Sequence, residues 1–456
     1  MTNTKSKHVQ NLIIGFGKAG KTLAMELGNQ GQEVILVEKD PTMYGGTCIN
    51  VACIPTKKLV DMAERKPDDV DDATYYRTSI QEKKDLISKL NEGNYNNVND
   101  TPNVTVVDGT ASFVDDHTVK VEHNGDIQHF EADRIYINTG ARPNVPNIDG
   151  LKIGGPIYTS ETLLDLEELP NHLAIIGDGP IGLEFASIYR LFGARVTVLS
   201  HSPKGEFLKQ YDRDMAELVL EALEDMGIDI LFEADTTKVE TVDNRVTLTY
   251  QQVDKSEELT AEAVLVAIGR HANTADLNLE AAGIELGERG AIKVNDHLQT
   301  SQHHIFAMGD VKGGMQQTFI SLDDYRIVLA YLSEKANYSL ANRRYVPGTT
   351  FITPPISSVG LSEKEAEEQG FDYTVKKIAV ESIPKAKLMK KTTGAYKAIV
   401  DNKTDQILGA TLFGAESHEV IGILSTAMHG NLTASFMGSQ IYSHPTMSEA
   451  LNNLFG

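Results

Sequence analysis

"HVQNLIIGFGKAGKTLAMELGNQGQEVILVEKD", residues 8–40, decides the fold. An apolar run ends at Gly15-x-Gly17-x-x-Gly20, a helical pattern follows, and a second strand pattern, "EVILVE", ends at Glu38. Strand, glycine turn, helix and acid in this register predict a βαβ unit that binds a dinucleotide. The glycines let the chain turn tightly and approach a pyrophosphate at a helix N-terminus. Glu38, about 20 residues on, is placed to hydrogen-bond a ribose hydroxyl. The pattern recurs at residues 172–204, "HLAIIGDGPIGLEFASIYRLFGARVTVLSHSPK", with Gly177-x-Gly179-x-x-Gly182 and a strand "RVTVL" running into Ser200. Two nucleotide units are expected. In the second the acid is missing, and Ser200, His201 and Lys204 stand where a carboxylate would otherwise repel a 2′-phosphate, so charge favours NADPH over NADH.

The rest of the composition agrees with a protein that handles small molecules. A chain of 456 residues, 41% hydrophobic and 23% charged, is long enough for several domains with substantial cores. Its net charge of −22 argues against nucleic acid and anionic membranes as partners, because binding phosphate backbones takes a basic surface. The opening "MTNTKSKHVQNLIIGFG" runs from polar residues straight into a strand with no signal-like segment, and no window reaches the ~18 apolar residues of a membrane span. The expected location is the cytoplasm.

Between the units, "RKPDDVDD" (65–72) and "NEGNYNNVNDTPN" (91–103) flank a helical pattern at 75–90. Asp68, Asp69, Asp71 and Asp72 lack the alternating spacing and closing Glu of a calcium loop and read as a solvated turn. "INTGARPNVP" (137–146) and "LVAIGRHANT" (265–274) each read as a strand ending in a Gly turn, and "QTSQHHIFAMGDVKGG" (299–314) as a strand stopping at Gly309-Asp310, a carboxylate well placed to meet a ligand. His303 and His304 read as surface residues, and no metal site is expected. After about residue 336 strands and helices continue without glycine fingerprints, which suggests a separate α+β domain.

The only two cysteines, Cys48 and Cys53, lie together in "GGTCINVACIPTK", residues 45–57. Two are too few for a secreted disulfide framework, and a close pair in a reducing compartment points to catalysis or metal binding. Five residues of ideal helix rise about 7.5 Å, past the ~7 Å Cα limit for a disulfide, so a bridge here demands a distorted turn, for which Gly45, Gly46 and Pro55 supply the means. A strained disulfide has a higher reduction potential than a structural one and can cycle with electrons from a cofactor.

Over nearly its whole length the sequence resembles the class I flavin-dependent pyridine nucleotide–disulfide oxidoreductases. "GGTCINVACIPTK" is similar to that family's redox-active CxxxxC signature, "AIGRHANT" to its second glycine motif, "IFAMGD" to its FAD-contacting strand end, and "SHPTMSE" to its C-terminal His-Pro-Thr-x-x-Glu motif. Ala52 departs from the family's usual Gly before the second cysteine. The resemblance implies an α/β fold with two Rossmann-like dinucleotide-binding domains and a C-terminal α+β dimerisation domain. Residues 1–149 would bind FAD and carry the disulfide, 150–270 would bind NAD(P)H, 271–335 would return to the FAD domain, and 336–456 would form the homodimer. FAD would meet Gly15, Gly17, Gly20, Glu38, Thr47, Lys57, Thr139, Gly140 and Asp310. The nicotinamide nucleotide would meet Gly177, Gly179, Gly182, Ser200, His201, Lys204, Gly269 and Arg270. Cys53 would be the flavin-side, charge-transfer thiolate and Cys48 the outer thiol that meets substrate. Lys57 would pair with Glu184, and His444, held by Glu449, would reach Cys48 of the partner subunit as acid/base. NAD(P)H would reduce FAD, the flavin the disulfide, and the dithiol an acceptor.

As for the acceptor, the chain lacks the additional cysteines of mercuric reductases and high-molecular-weight thioredoxin reductases. Ser200 counts against a dihydrolipoamide dehydrogenase and the intact pair against a soluble transhydrogenase, while glutathione reductase stays open. "GGMQQTFISLDDYRIVLAYL" (313–332) and "HPTMSEALNNLF" (444–455) resemble the branch containing bacterial hypothiocyanous acid reductases and reactive-chlorine-resistance flavoenzymes. That resemblance implies a small oxidant, HOSCN, reduced to thiocyanate. The segment 319–332 also reads as an amphipathic helix packing on FAD, with Asp323, Asp324 and Arg326 as simple helix charges. A contrasting reading makes the dithiol a soft-metal site for Cu(I) or Hg(II).

Overall fold

Strands Val34–Glu38 and Arg195–Leu199 are mostly apolar and buried at nearly every position, the pattern of parallel strands covered on both faces. In the computed structural model, which describes residues 6–333 and 338–456, each lies inside its own sheet. In the first sheet Lys7–Ile14 pairs in parallel with Val34–Glu38 and Asp126–Ile137, and Val34–Glu38 with Val104–Asp108. An antiparallel meander, Thr110–Phe113 to Thr118–His123 to Asp126–Ile137, completes its far edge. There Val119 and Val121 are buried while Thr118 and Lys120 are not, the alternation of a sheet covered on one face.

The second sheet is parallel, in the order Ile228–Leu231, Arg195–Leu199, His172–Ile176, Ala263–Val266, Ile157–Thr159. A separate three-stranded meander, Ala234–Val242 to Lys255–Ala261, packs beside it. Ala141–Pro143 then pairs with Arg270–Ala272, and Ile305–Ala307 joins the first sheet beside Asp126–Ile137. The third sheet is antiparallel, five strands between Gly348–Thr350 and Tyr373–Ala379, and buries Leu412 with Ile421, Leu424 and Leu454 from the Ser417–His429 and Ala450–Phe455 helices. The fold is mixed α/β with a C-terminal α+β domain. The expected boundary at 335/336 and the opening residues 1–5 lie outside the described residues. No helix among the described residues is long and apolar enough to cross a membrane.

Two segments differ from the sequence reading. The helix expected at 75–90 runs from Asp72 to Asn99, straight through the Asn-rich "NEGNYNNVN". Asn has little helix propensity, but Asn91 donates to Thr42 O at 2.9 Å and Asn94 accepts from Lys21, so tertiary bonds hold this stretch helical. At its start Asp71 caps the helix by accepting from Thr74 N, and Asp72 pairs with Lys66. Asp323 and Asp324, read as simple helix charges, are not. Asp324 is fully buried and accepts from Gly309 N at 2.7 Å and from Arg343 at 2.6 Å, with Lys312 at 3.5 Å. Asp323 accepts from Arg343 and Tyr338. A buried carboxylate needs such partners, and they come from residues distant in sequence; Arg326 is the exposed charge.

Candidate active site

The cysteine loop is built from two helices that do not join. Thr47–Asn50 forms one turn, Val51 and Ala52 leave helical geometry (Ala52 φ −144°, ψ −101°), and Cys53 opens the Cys53–Glu64 helix. The break brings the two sulfurs together, and both are free thiols in this structure. Ala52 itself accepts from Thr56 N and Oγ1 through its carbonyl, which starts the second helix. Asn50 ties the loop down by donating to Tyr44 O and Gly46 O, each at 3.0 Å.

The two thiols are unequal. The Cys48 thiol donates to Cys53, and this bond, helped by Thr318 Oγ1 at 3.5 Å and the Lys57 charge, outweighs burial and brings the Cys53 thiol down to about 6. The same bond, with burial, pushes Cys48 far above the ordinary thiol range. A single proton is thus shared by the pair, and the charge sits on Cys53.

Lys57 Nζ lies 2.5 Å from Glu184 Oε2 and 4.6 Å from the centre of the Phe351 ring, while Glu184 Oε1 accepts from Phe351 N at 2.8 Å. These contacts bring together the cysteine helix, the Pro180–Phe192 helix of the second unit and the C-terminal domain. All face one cavity of about 920 Å³. Gly15, Gly17, Glu38, Thr47, Thr139 and Gly140 line it, as do both cysteines, Arg270 and Asp310. Gly15 has φ +103°, and a Cβ there would meet Asn138 O at 2.5 Å. Glu38 accepts from Phe16 N and Lys39 N at 2.9 Å and from Asp40 N at 3.2 Å; its burial nevertheless raises its pKa. Burial also raises that of Asp310, against the Arg270 charge. Arg270 donates to Glu161 at 2.7 Å and Ala141 O at 2.6 Å.

Other residues singled out by sequence stand outside the cavity. Gly20 packs on Gly15 O and Gly182 on Gly177 O. Gly269 takes φ +97° and its carbonyl accepts from Asn144 N. Ser200 is buried and donates to Asp178 Oδ2 at 2.8 Å; His201 pairs with Asp235, and Lys204 lies 3.7 Å from Glu224. His444 is largely exposed, with Nδ1 2.6 Å from Glu449 Oε2. That bond leaves Nε2 free, directed by a carboxylate in the way of a general base. His444 does not join the cysteines of its own chain.

Sequence reasoning missed Thr318, Phe351 and Lys21. Lys21 follows the third glycine of the first unit and is buried, hydrogen-bonded to Asn94 and, at 3.5 Å, to Gly45 O. Burial and Lys18 lower its pKa to about 8, against the pull of Cys48. A basic residue next to a fingerprint glycine was the available signal. Among the described residues two clusters with metal-ligating side chains lie elsewhere, Asp116–His117–His304 and Asp212–Asp214–Glu363. The first stacks its imidazoles face to face, 3.9 Å apart and 6° from parallel, so their in-plane lone pairs do not converge. In the second, Lys397 sits among the carboxylates.

Comparison with known proteins places this arrangement. Residues 9–323 match the family described as pyridine nucleotide-disulphide oxidoreductase, and residues 346–455 that family's dimerisation domain. The chain is 44% identical over 446 residues to the probable pyridine nucleotide-disulfide oxidoreductase RclA of Escherichia coli strain K12, covering 98% of each. It is 33% identical to a mercuric reductase of Staphylococcus aureus, covering 96% of this chain and 80% of the other. Its structure superposes with a TM-score of 0.93 on a Cu(II) complex of the HOCl-induced flavoprotein disulfide reductase RclA from Escherichia coli, at 43% identity and 99% coverage of both chains. With both its nucleotide-binding and its dimerisation regions matched, the chain belongs to the pyridine nucleotide-disulphide oxidoreductase family.

Proposed function

We propose that this oxidoreductase uses the Cys48/Cys53 pair to reduce hypothiocyanous acid to thiocyanate, in defence against oxidants. The observation that carries the reading is the pair of free thiols on the cavity wall, with Cys53 Sγ 3.5 Å from Thr318 Oγ1 and Lys57 lining the same cavity. Proteins of this family use FAD and NAD(P)H. The residues here suit them: the cavity is large enough for a dinucleotide, Glu38 lines it, and at Gly179 a Cβ would meet nothing within 4 Å, leaving the second turn open to a pyrophosphate. When bound, the flavin passes a hydride's two electrons from the nicotinamide to the cysteine disulfide.

The chain's own residues account for the remaining steps. Cys48 is protonated at rest, so a base must remove its proton before it attacks; His444 Nε2, contributed by a second copy through the dimerisation domain, fills that role while Glu449 holds Nδ1. The Cys48 thiolate attacks the sulfur of HOSCN, an S–S bond forms and the O–S bond breaks, and hydroxide leaves as water with the proton from His444. The Cys53 thiolate then attacks Cys48 Sγ and expels thiocyanate. The thiol–thiolate pair has lost two electrons and one proton, and HOSCN has gained both, leaving as water and thiocyanate. Thr318 and the Lys57 charge favour the Cys53 thiolate for this second attack, against the Glu184 carboxylate.

The RclA relative is described as HOCl-induced, which supports a defence role. A second reading, reduction of a metal ion, is favoured by the Cu(II) complex of the same relative and by the mercuric reductase likeness. The test is NAD(P)H oxidation with HOSCN, oxidised glutathione, lipoamide, Hg(II) and Cu(II). HOSCN should give a kcat/KM at least ~100-fold above the others, near ~10⁶ M⁻¹s⁻¹. Parity with Cu(II) or Hg(II) would favour the second reading, and parity with glutathione disulfide would sink both.

A further inference from the structure

In the second nucleotide unit the strand Arg195–Leu199 delivers Ser200 to the position where such units commonly carry an acid for the adenosine ribose. The Ser200 side chain is turned inward. It is fully buried, and its hydroxyl donates to Asp178 Oδ2 at 2.8 Å. Asp178 lies between the first two glycines of the turn, so it reaches the strand end from the neighbouring βα loop and not from the strand itself. Among the described residues its other oxygen, Oδ1, has no hydrogen-bond donor. Gly177 beside it takes φ +111°, and a Cβ at Gly179 would meet no atom within 4 Å, so the turn between them faces open space.

The cations that sequence charge offered to a 2′-phosphate are already engaged. His201 Nδ1 is bonded to Asp235, whose carboxylate raises the imidazole pKa, and Lys204 lies 3.7 Å from Glu224. A phosphate placed here would face the Asp178 carboxylate, while His201 and Lys204 each lie beside a carboxylate that offsets their charge. A ribose diol faces the opposite situation, because Oδ1 takes no protein donor among the described residues and is free to accept from it, on a carboxylate oriented by Ser200.

We infer that Asp178, oriented by Ser200, reads the adenosine ribose and selects NADH over NADPH, the reverse of what the charges along the strand-end loop suggest. Asp178 is the specificity-determining residue and Ser200 the positioning residue. The inference rests on the family's use of NAD(P)H and not on the identity of the acceptor, so failure of the HOSCN reading leaves it standing.

The experiment is equilibrium binding of NAD⁺ and NADP⁺ to the FAD-loaded, oxidised protein by calorimetry, which involves no turnover. The wild type should bind NAD⁺ at least about tenfold more tightly than NADP⁺. Asp178→Asn, which removes the charge and keeps the shape, should shrink that ratio at least about fivefold, chiefly by tightening NADP⁺. Ser200→Ala frees the carboxylate without removing it, and should weaken NAD⁺ while leaving NADP⁺ the poorer ligand. His201→Ala and Lys204→Ala should leave the ratio within about twofold. Flavin absorbance and far-ultraviolet circular dichroism identify any variant that has failed to fold, in which case Asp178→Ser serves in place of Asp178→Asn. A wild type that binds NADP⁺ as tightly as NAD⁺, an unchanged ratio in the folded Asp178 variant, or loss of NADP⁺ binding in His201→Ala or Lys204→Ala would overturn the inference.

Discussion

The two glycine turns carry the same spacing and sit in different surroundings. At Gly15 the turn is closed: a Cβ on Gly17 would lie 2.4 Å from Asn138 Oδ1, that side chain accepts from Gly20 N and donates to Met308 O, and Glu38 is held by three backbone N–H groups. In the second unit Gly177 is packed as closely, a Cβ there lying 2.6 Å from Ala267 O, but the turn opens at Gly179, where a Cβ would meet nothing within 4 Å, and Asp178 is held by one hydroxyl. The residue after the third glycine is a buried lysine, Lys21, in the first unit and an apolar one, Leu183, in the second. The segments beyond the two units differ as well. The first unit leads into the half-buried cysteine loop, and the second into a loop whose His201 is 86% exposed. On the proposed assignment the closed turn serves a resident cofactor, where preorganisation strengthens binding, and the open one a nucleotide that must arrive and leave in every cycle.

The comparison breaks most visibly at the loops. Cys48→Ser and Cys53→Ser should each lower steady-state turnover by roughly 1000-fold or more, whereas His201→Ala and Lys204→Ala should change turnover with NADH by less than about threefold. Cys48→Ser should still show a long-wavelength absorbance band with bound FAD, and Cys53→Ser should lose it. If the band survives in Cys53→Ser alone, the two thiol roles are exchanged.

The turns themselves come next in size. Gly15→Ala forces a left-handed backbone on a residue with a Cβ and drives that atom into Asn138 O, so it should cost about 3 kcal/mol or more and release FAD. Gly179→Ala fills open space, and should leave stability within about 0.5 kcal/mol while weakening nucleotide binding several-fold. Thermal melts with nucleotide titrations separate the two, and equal melting losses would mean the second turn is as closed as the first.

The smallest effect concerns charge near the thiols. Cys53 is held at about 6, so its thiolate absorbance should persist from neutral pH downward and disappear as pH falls through about 6, well below the usual thiol range near 9. Lys21→Leu copies Leu183 of the second unit and removes a cation whose influence on Cys48 exists only while it is protonated, below about pH 8. Removal of the Cys48 proton should become harder, so turnover with HOSCN at pH 7 should slow by roughly threefold. An unchanged rate would mean that Lys21 only packs the floor of the loop.

By itself the sequence determined both βαβ units, the strand ends at Glu38 and Ser200, and the family, because each of these is set within one local stretch: glycine spacing dictates the turn, and apolar runs dictate buried parallel strands. The closeness of Cys48 and Cys53 along the chain was equally legible. That Cys53 carries the charge was expected from the family resemblance alone and not from the pattern along the chain, since it depends on the bond from Cys48, on Thr318, 265 residues away, and on Lys57. The helical Asn91–Asn99 stretch and the burial of Asp324 were also decided by the tertiary structure, through partners at Thr42 and Arg343, and the lowered pKa of Lys21 by its burial. Asp178 shows the reason in one residue. A carboxylate inside a glycine turn says nothing along the chain about a serine 22 positions later, and only the folded βαβ unit puts the two at 2.8 Å, because a side chain's charge acts through space and local sequence patterns record only backbone geometry.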